Sequence, residues 1–261
     1  MSATNDRTSV PSNTGGIKVL GIDPGWKNLA FCLFQRTNDS IDILQWELVD
    51  LFPETVKKPA AKKKKTAAAT APPKKKRAKT KPLRECNERL QRMLVDKKWE
   101  AGVHLISIEN QTGGPRGNNT SRCISHCIQS YMLHFADKST RIDFVHPRTK
   151  RNFFAKDVKL GIEQNKNQRE RYNLTKNGAK IVVKGFLEGS VAMPYGWPPL
   201  RVPDDLRRYF ASMKKQDDMS DALLLGLILL RRHELARNPK RSAARGKRKP
   251  AAALEATATK R

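Results

Sequence analysis

The sequence predicts an α/β fold, a mixed five-stranded sheet flanked by helices, and three observations predict it. Three apolar segments follow one another before residue 52 with only short polar turns between them, the pattern of an antiparallel meander. Two later apolar segments are each preceded by a stretch of helical periodicity, so they extend the sheet through crossovers. A strongly apolar segment near the C-terminal end closes the pattern as a last helix.

Residues 1–15 are polar and are expected to be loose. From Lys18 an apolar run ends in one carboxylate, Asp23. Pro24-Gly25 turns the chain, and Leu29 to Phe34 comes straight back. Ile41 to Leu51 reads as the third strand. Residues 53–82 are Lys, Ala and Pro with almost no large apolar side chain. They cannot bury a core, and they should loop out of the domain without disturbing it. Leu83 to Trp99 carries Leu83, Cys86, Leu90, Met93 and Leu94 at helical spacing. Val103 to Glu109 reads as a buried strand that ends, like the first, in an acid. A glycine-rich loop, Gly113 to Asn119, leads into a helix over Thr120–Ala136, and Arg141 to Val145 is the fifth strand, stopped by Pro147. Within 148–215, Lys176–Glu188 and Asp204–Met213 have helical character, and Pro194–Pro203 reads as irregular. Asp217 opens the last helix, which runs to about Leu235. The domain is expected to span 16–236, with a basic disordered tail over 237–261.

The formal charge is +27. Residues 53–82 hold twelve Lys or Arg and one acid, and residues 237–261 hold nine and one, which leaves the globular part about +8. Two one-signed segments point to a polyanionic partner, and nucleic acid is the obvious one. Pro73-Lys-Lys-Lys-Arg77 reads equally as a nuclear import signal and as a DNA-attracting arm. The four cysteines show no disulfide spacing and no signal peptide precedes them, so an intracellular, reducing setting is expected. Cys123, His126 and Cys127 could form part of a zinc site, but without a CxxC partner buried helical thiols are the stronger reading. The longest apolar run, Ala222 to Leu230, is too short to span a bilayer, so no membrane partner is expected.

The chemistry lies in carboxylates at element ends: Asp23, Glu109 and the Asp217/Asp218/Asp221 cluster. The first strand and the Val103 strand would lie side by side, bringing Asp23 and Glu109 to the crevice at the strand ends. Asp218 and Asp221 are three apart, and Asp217 and Asp221 four apart, so either pair can share a helix face. Helix capping needs one acid there, and the sequence supplies three. Clustered carboxylates repel one another unless a cation sits among them, and an all-oxygen set suits Mg²⁺, with Mn²⁺ able to substitute. Two such ions can activate a water and stabilise a leaving oxygen in phosphodiester cleavage.

Three segments also carry a resemblance. Gly21-Ile-Asp-Pro-Gly25, Ser107-Ile-Glu-Asn-Gln111 and Lys214-Lys-Gln-Asp-Asp-Met-Ser-Asp-Ala-Leu223 resemble the three signature blocks of RuvC-like Holliday junction resolvases. Gly25-Trp-Lys-Asn-Leu-Ala30 and the Lys-Lys-Gln-Asp-Asp run resemble the poxvirus and mitochondrial branch. The resemblance covers about residues 16–235 outside the basic insert. It implies a ribonuclease H-like fold and a Mg²⁺-dependent homodimer that nicks four-way DNA junctions symmetrically. Asp23, Glu109, Asp218 and Asp221 fall on that family's metal-binding acids. Lys150 falls near its basic residue beside the scissile phosphate, with Arg148 and Arg151 as competitors. A dimer also suits the two-fold symmetry of such a junction. The long basic insert departs from the family pattern. A nuclear or viral replication site fits better than a mitochondrial one, because the N-terminal segment lacks the look of a transit peptide.

The residues leave other readings open. A sugar-kinase or actin-like ATPase shares a Gly-Ile-Asp-x-Gly loop but needs a second domain and a second phosphate loop. A nuclease for flaps or hybrids would carry the same acids, and a non-catalytic basic DNA-binding protein would use them only structurally. The Gly113–Asn119 loop, with Arg116 and Arg122 at hand, is either a phosphate contact or an ordinary loop. Tyr195 and Trp197 could stack on unpaired bases, though packing is the stronger reading for both.

Overall fold

Strand alternation sorts the apolar residues into two cores. The computed structural model describes residues 16–52, 83–111 and 119–237. The expected basic insert with Pro73–Arg77, residues 113–118 of the glycine-rich loop with Arg116, the leading 1–15 and the tail beyond Arg237 lie outside the described residues.

Strands β1 (Ile17–Asp23), β2 (Leu29–Arg36) and β3 (Ile41–Val49) form the expected antiparallel meander. β4 (Leu105–Glu109) lies parallel to β1, and β5 (Arg141–Val145) lies parallel to β4. Within this frame Val19, Cys32 and Phe34 face one layer, while Leu20, Ile22 and Phe31 face the other. Helices α1 (Leu83–Lys97) and α2 (Asn119–Phe135) cover the second face through Cys86, Leu90, Leu94, Ile124 and Ile128.

The first face carries α3 (Lys156–Gln164), α4 (Gln168–Glu188), α5 (Asp204–Ser212) and α6 (Gln216–Arg237). Helix α6 is buried all round from Ala222 to Leu230, as a helix enclosed between a sheet and other helices must be. Two glycines let it lie directly on the sheet. A Cβ at Gly21 of β1 would stand 2.0 Å from the Ala222 carbonyl oxygen, and one at Gly226 would stand 2.6 Å from the Phe34 ring. Trp46 of β3 fixes the helix along its axis: its indole N–H donates to the Met219 carbonyl at 2.9 Å, and its ring stacks on Phe210.

Among the described residues the sheet has six strands rather than five, in the order β5-β4-β1-β2-β3-β6. The extra strand, β6 (Leu200–Arg201), pairs parallel with the start of β3 inside the segment expected to be irregular. Two residues give no periodicity to read, and only the pairing with Ile41 and Asp42 defines them. Helix α4 begins eight residues before the expected Lys176, because its first two turns are polar and mostly exposed. Two 3₁₀ segments, Pro147–Phe153 and Pro194–Gly196, complete the chain order.

Candidate active site

β1 and β4 pair in register, Ile22 opposite Ile108, so the next residues, Asp23 and Glu109, reach the same edge of the sheet. Helix α6 runs antiparallel to β1, with Ala222 over Gly21 and Gly226 near Val19. Its first turns therefore overhang that edge and bring Asp217, Asp218 and Asp221 to it. All five acids line one cavity of about 970 Å³ with Lys150. The remaining wall is made by the β1–β2 turn, by Arg148 and Arg151, and by Tyr172, Thr175 and Lys176 of α4.

The 3₁₀ turn after β5 decides which basic residue enters. In such a helix side chains three apart eclipse one another. Lys150 and Phe153 are both buried, whereas Arg148 and Arg151 stay exposed at the cavity wall. His146 holds the start of the turn, its Nδ1 accepting from the Arg148 N–H at 3.1 Å. The Lys150 ammonium donates to Glu109 Oε1 at 2.6 Å and lies 2.7 Å from Asp221 Oδ2. The second oxygen of Glu109 accepts from the Gln111 side-chain amide. Lys176 pairs with Asp217 at 2.9 Å, and Lys215 stands 4.0 Å from Asp218.

The electrostatics follow from burial first. Burial pushes the Asp23 carboxyl well above its ordinary value, and Glu109, Asp221 and Asp218 add repulsion against the pull of Lys150. Asp221 is pushed up to about 6 by burial, again opposed by Lys150. Asp218 is raised by burial and by its neighbour Asp217. For Lys150 burial favours the neutral amine, but Asp221, Glu109 and Asp23 outweigh it and keep it charged. The Lys176 ammonium is stabilised by its hydrogen bond to Asp217.

The donor set fits a hard divalent cation. Every candidate ligand is a carboxylate oxygen, and Asp218 Oδ2 is buried without a hydrogen-bond partner among the described residues. As they stand, no three His, Cys, Asp or Glu side chains among the described residues converge tightly enough to grip an ion. The Lys150 ammonium is wedged between two of the acids.

All five site residues expected from the sequence, Asp23, Glu109, Lys150, Asp218 and Asp221, are brought together. Lys150 is separated from its competitors by burial, while Asp217 and Asp218 both line the cavity, with Lys176 2.9 Å from the one and Lys215 4.0 Å from the other. Two contributors escaped sequence reasoning. Gln111 stands two residues beyond Glu109, an alternation that could have placed it on the same side. Lys176 lies in a lysine- and arginine-rich stretch with nothing local to single it out. Tyr195 and Trp197 lie elsewhere, around a small pocket at the far end of α6, where Trp197 is buried. The cysteines form no disulfide. Cys32 and Cys86 are buried and Cys123 and Cys127 half-buried, as helix and strand thiols, and they join no metal-holding group among the described residues.

No family model and no curated protein sequence matches the chain. Among solved structures it is similar to the yeast mitochondrial Holliday junction resolvase Ydc2, with a TM-score of 0.50 and 16% identity over 91% of this chain and 90% of that one. It also aligns with Thermus thermophilus RuvC in complex with Holliday junction substrate, at a TM-score of 0.41 and 14% identity over 81% and 90% of the two chains. A third match is Fowlpox virus resolvase with junction DNA, at 0.40 and 16% over 80% and 94%. The first likeness, taken with the strand order and the helical layers on both faces, makes this the ribonuclease H-like α/β fold expected from the sequence, with one strand more.

Proposed function

We propose that the protein is a divalent-metal-dependent endonuclease that resolves four-way DNA junctions by paired, symmetric nicks. The observation that carries the reading is the convergence of Asp23, Glu109, Asp218 and Asp221, from three distant parts of the chain, on one cavity around a buried lysine. The fold shared with a yeast protein that resolves Holliday junctions supports it, as do the three sequence blocks that resemble such enzymes.

Asp23, Glu109, Asp218 and Asp221 would hold Mg²⁺ or Mn²⁺, and the bound metal would supply water activation and charge neutralisation at a phosphodiester. Lys150 offers a positive charge beside those acids, suited to the scissile phosphate. Arg148, Arg151, Lys27 and Lys176 at the cavity wall would hold the strand by its phosphates. Residues 16–236 would form one domain with 53–82 looping out, and the basic insert and tail would add sequence-independent affinity. Two copies related by two-fold symmetry would place two such cavities on opposed strands. A nuclear or viral replication site suits a protein of this charge. No described helix is long and apolar enough to cross a membrane.

The test compares cleavage of a four-way junction, a flap, a linear duplex and an RNA–DNA hybrid at matched salt, with Mg²⁺ and with chelator. The junction is expected to be cut fastest, and only with metal. Preference for the flap would reassign the substrate, and preference for linear duplex would count against resolution. Asp218→Asn combined with Asp221→Asn should abolish cleavage and leave junction binding in place. Unchanged cleavage would leave these acids a structural role only. Light scattering of the protein with and without junction tests the dimer.

A further inference from the structure

The acids of the cavity fall into two unlike halves. Lys150 is 7% exposed, and its ammonium sits 2.6 Å from Glu109 Oε1 and 2.7 Å from Asp221 Oδ2. The second oxygen of Glu109 is taken by Gln111. On the other side, Asp218 Oδ2 is buried without a hydrogen-bond partner among the described residues, and Asp23 feels the charge of Lys150, whose ion pairs go to Glu109 and Asp221. One half holds an ammonium between its two acids at hydrogen-bond distance, and the other has only the looser Lys215, 4.0 Å from Asp218.

We propose that Lys150 is the resident counterion of the Glu109–Asp221 half, and that it must withdraw from both carboxylates before a divalent ion can use them. The Asp23–Asp218 half takes an ion without that displacement. This rests on the reading of the four acids as metal ligands.

Oxygen ligands sit about 2.0–2.1 Å from Mg²⁺, so an ion on Glu109 and Asp221 would fall on the ground the ammonium occupies. Lys150 can move because its charge ends a flexible four-carbon stem. It cannot move far, because Phe153 anchors the same face of its 3₁₀ turn in the core. A displaced ammonium stays in the cavity, where a phosphate would meet it. Replacing Lys150 by a neutral side chain leaves Glu109 and Asp221 without their shared counterion, Glu109 keeping only its Gln111 hydrogen bond, which raises their demand for a metal.

The experiment measures Mn²⁺ binding by titration calorimetry and by electron paramagnetic resonance of the free ion, without DNA or turnover. Wild type is expected to show two classes of site. In Lys150→Met the weaker class should tighten by about tenfold or more, and the metal-induced rise in Tm should exceed that of wild type. Wild-type affinities in Lys150→Met would overturn the proposal and leave the metal reading standing. No Mn²⁺ binding in either protein would overturn both. A second measurement avoids any folding defect of the variant: the Nζ resonance of Lys150 in ¹⁵N-labelled wild type. It should be visible without metal, while the ammonium is held, and should shift or broaden once the second equivalent of Mg²⁺ binds. A resonance unchanged at saturating Mg²⁺ would overturn the proposal.

Discussion

The two ends of α6 handle charge in opposite ways. At its start, Asp217, Asp218 and Asp221 join Asp23 and Glu109 around Lys150 and Lys176, acids crowded against one another with a cavity of about 970 Å³ open beside them. At its far end, Glu234 stands among Arg36, Arg231 and the Trp197 indole, lining a pocket of about 200 Å³. Trp197 donates to Glu234 at 2.9 Å, and the Arg231 guanidinium lies 4.2 Å over the Tyr195 ring. Here the acid is outnumbered by cations and needs nothing further. The same helix thus ends beside one acid shared by an indole and two guanidiniums, and begins in a cluster of acids that calls for a cation. Opposite charges placed together serve stability, while crowded like charge costs stability and is kept where chemistry needs it.

The largest effect that would break this contrast is on cleavage. Asp23→Asn should lower the rate of junction cleavage by about 10³-fold or more, while Glu234→Ala should leave it within about twofold. Equal losses at the two ends would mean that both act only through stability. Next comes the contact that sets both ends in place. Gly21→Val drives a side chain into the Ala222 carbonyl and should cost about 3 kcal/mol or more in denaturant unfolding. It should lower cleavage as well, because Asp218 and Asp221 shift with the helix.

A third effect concerns pH in metal-free protein. Asp221 holds its proton up to about 6 in the fold, against an ordinary 3.8. A raised carboxyl contributes stability that is full below the ordinary value and is lost as pH rises through the folded one. Wild type should therefore lose about 1–3 kcal/mol relative to Asp221→Asn between pH 4 and pH 6.5, as followed by urea unfolding. Saturating Mg²⁺ should shrink that loss, and a loss of the same size with Mg²⁺ would argue against metal on Asp221. The smallest effect is at the far end. Glu234→Ala should lower stability by about 1–2 kcal/mol through the unpaired indole N–H and guanidiniums, with no dependence on Mg²⁺.

What could be read from the chain beforehand follows from which signals are local. β1, β2 and β5 announce themselves by apolar runs bounded by turns, and α6 by its uninterrupted apolar stretch. The acids stood out because each closes or opens such an element. β6 did not, since it exists only by pairing with β3. The first two turns of α4 did not, since Arg169 to Lys176 carry no apolar stripe, and yet they wall the cavity. Among Arg148, Lys150 and Arg151 the sequence offered three cations within four positions. Only the pitch of a 3₁₀ turn, with Phe153 pulled into the core, selects Lys150.

By itself the sequence determined that this is an α/β protein, basic in charge, with acids at the mouths of its strands. Period and turn chemistry act between neighbours in the chain, and they survive in the bare string of residues. The tertiary structure alone decided that the acids meet, through the parallel pairing of β1 with β4 and the glycine contact that lays α6 on β1. It alone put an ammonium between Glu109 and Asp221, because contacts between residues forty and seventy or so positions apart are set by how layers pack.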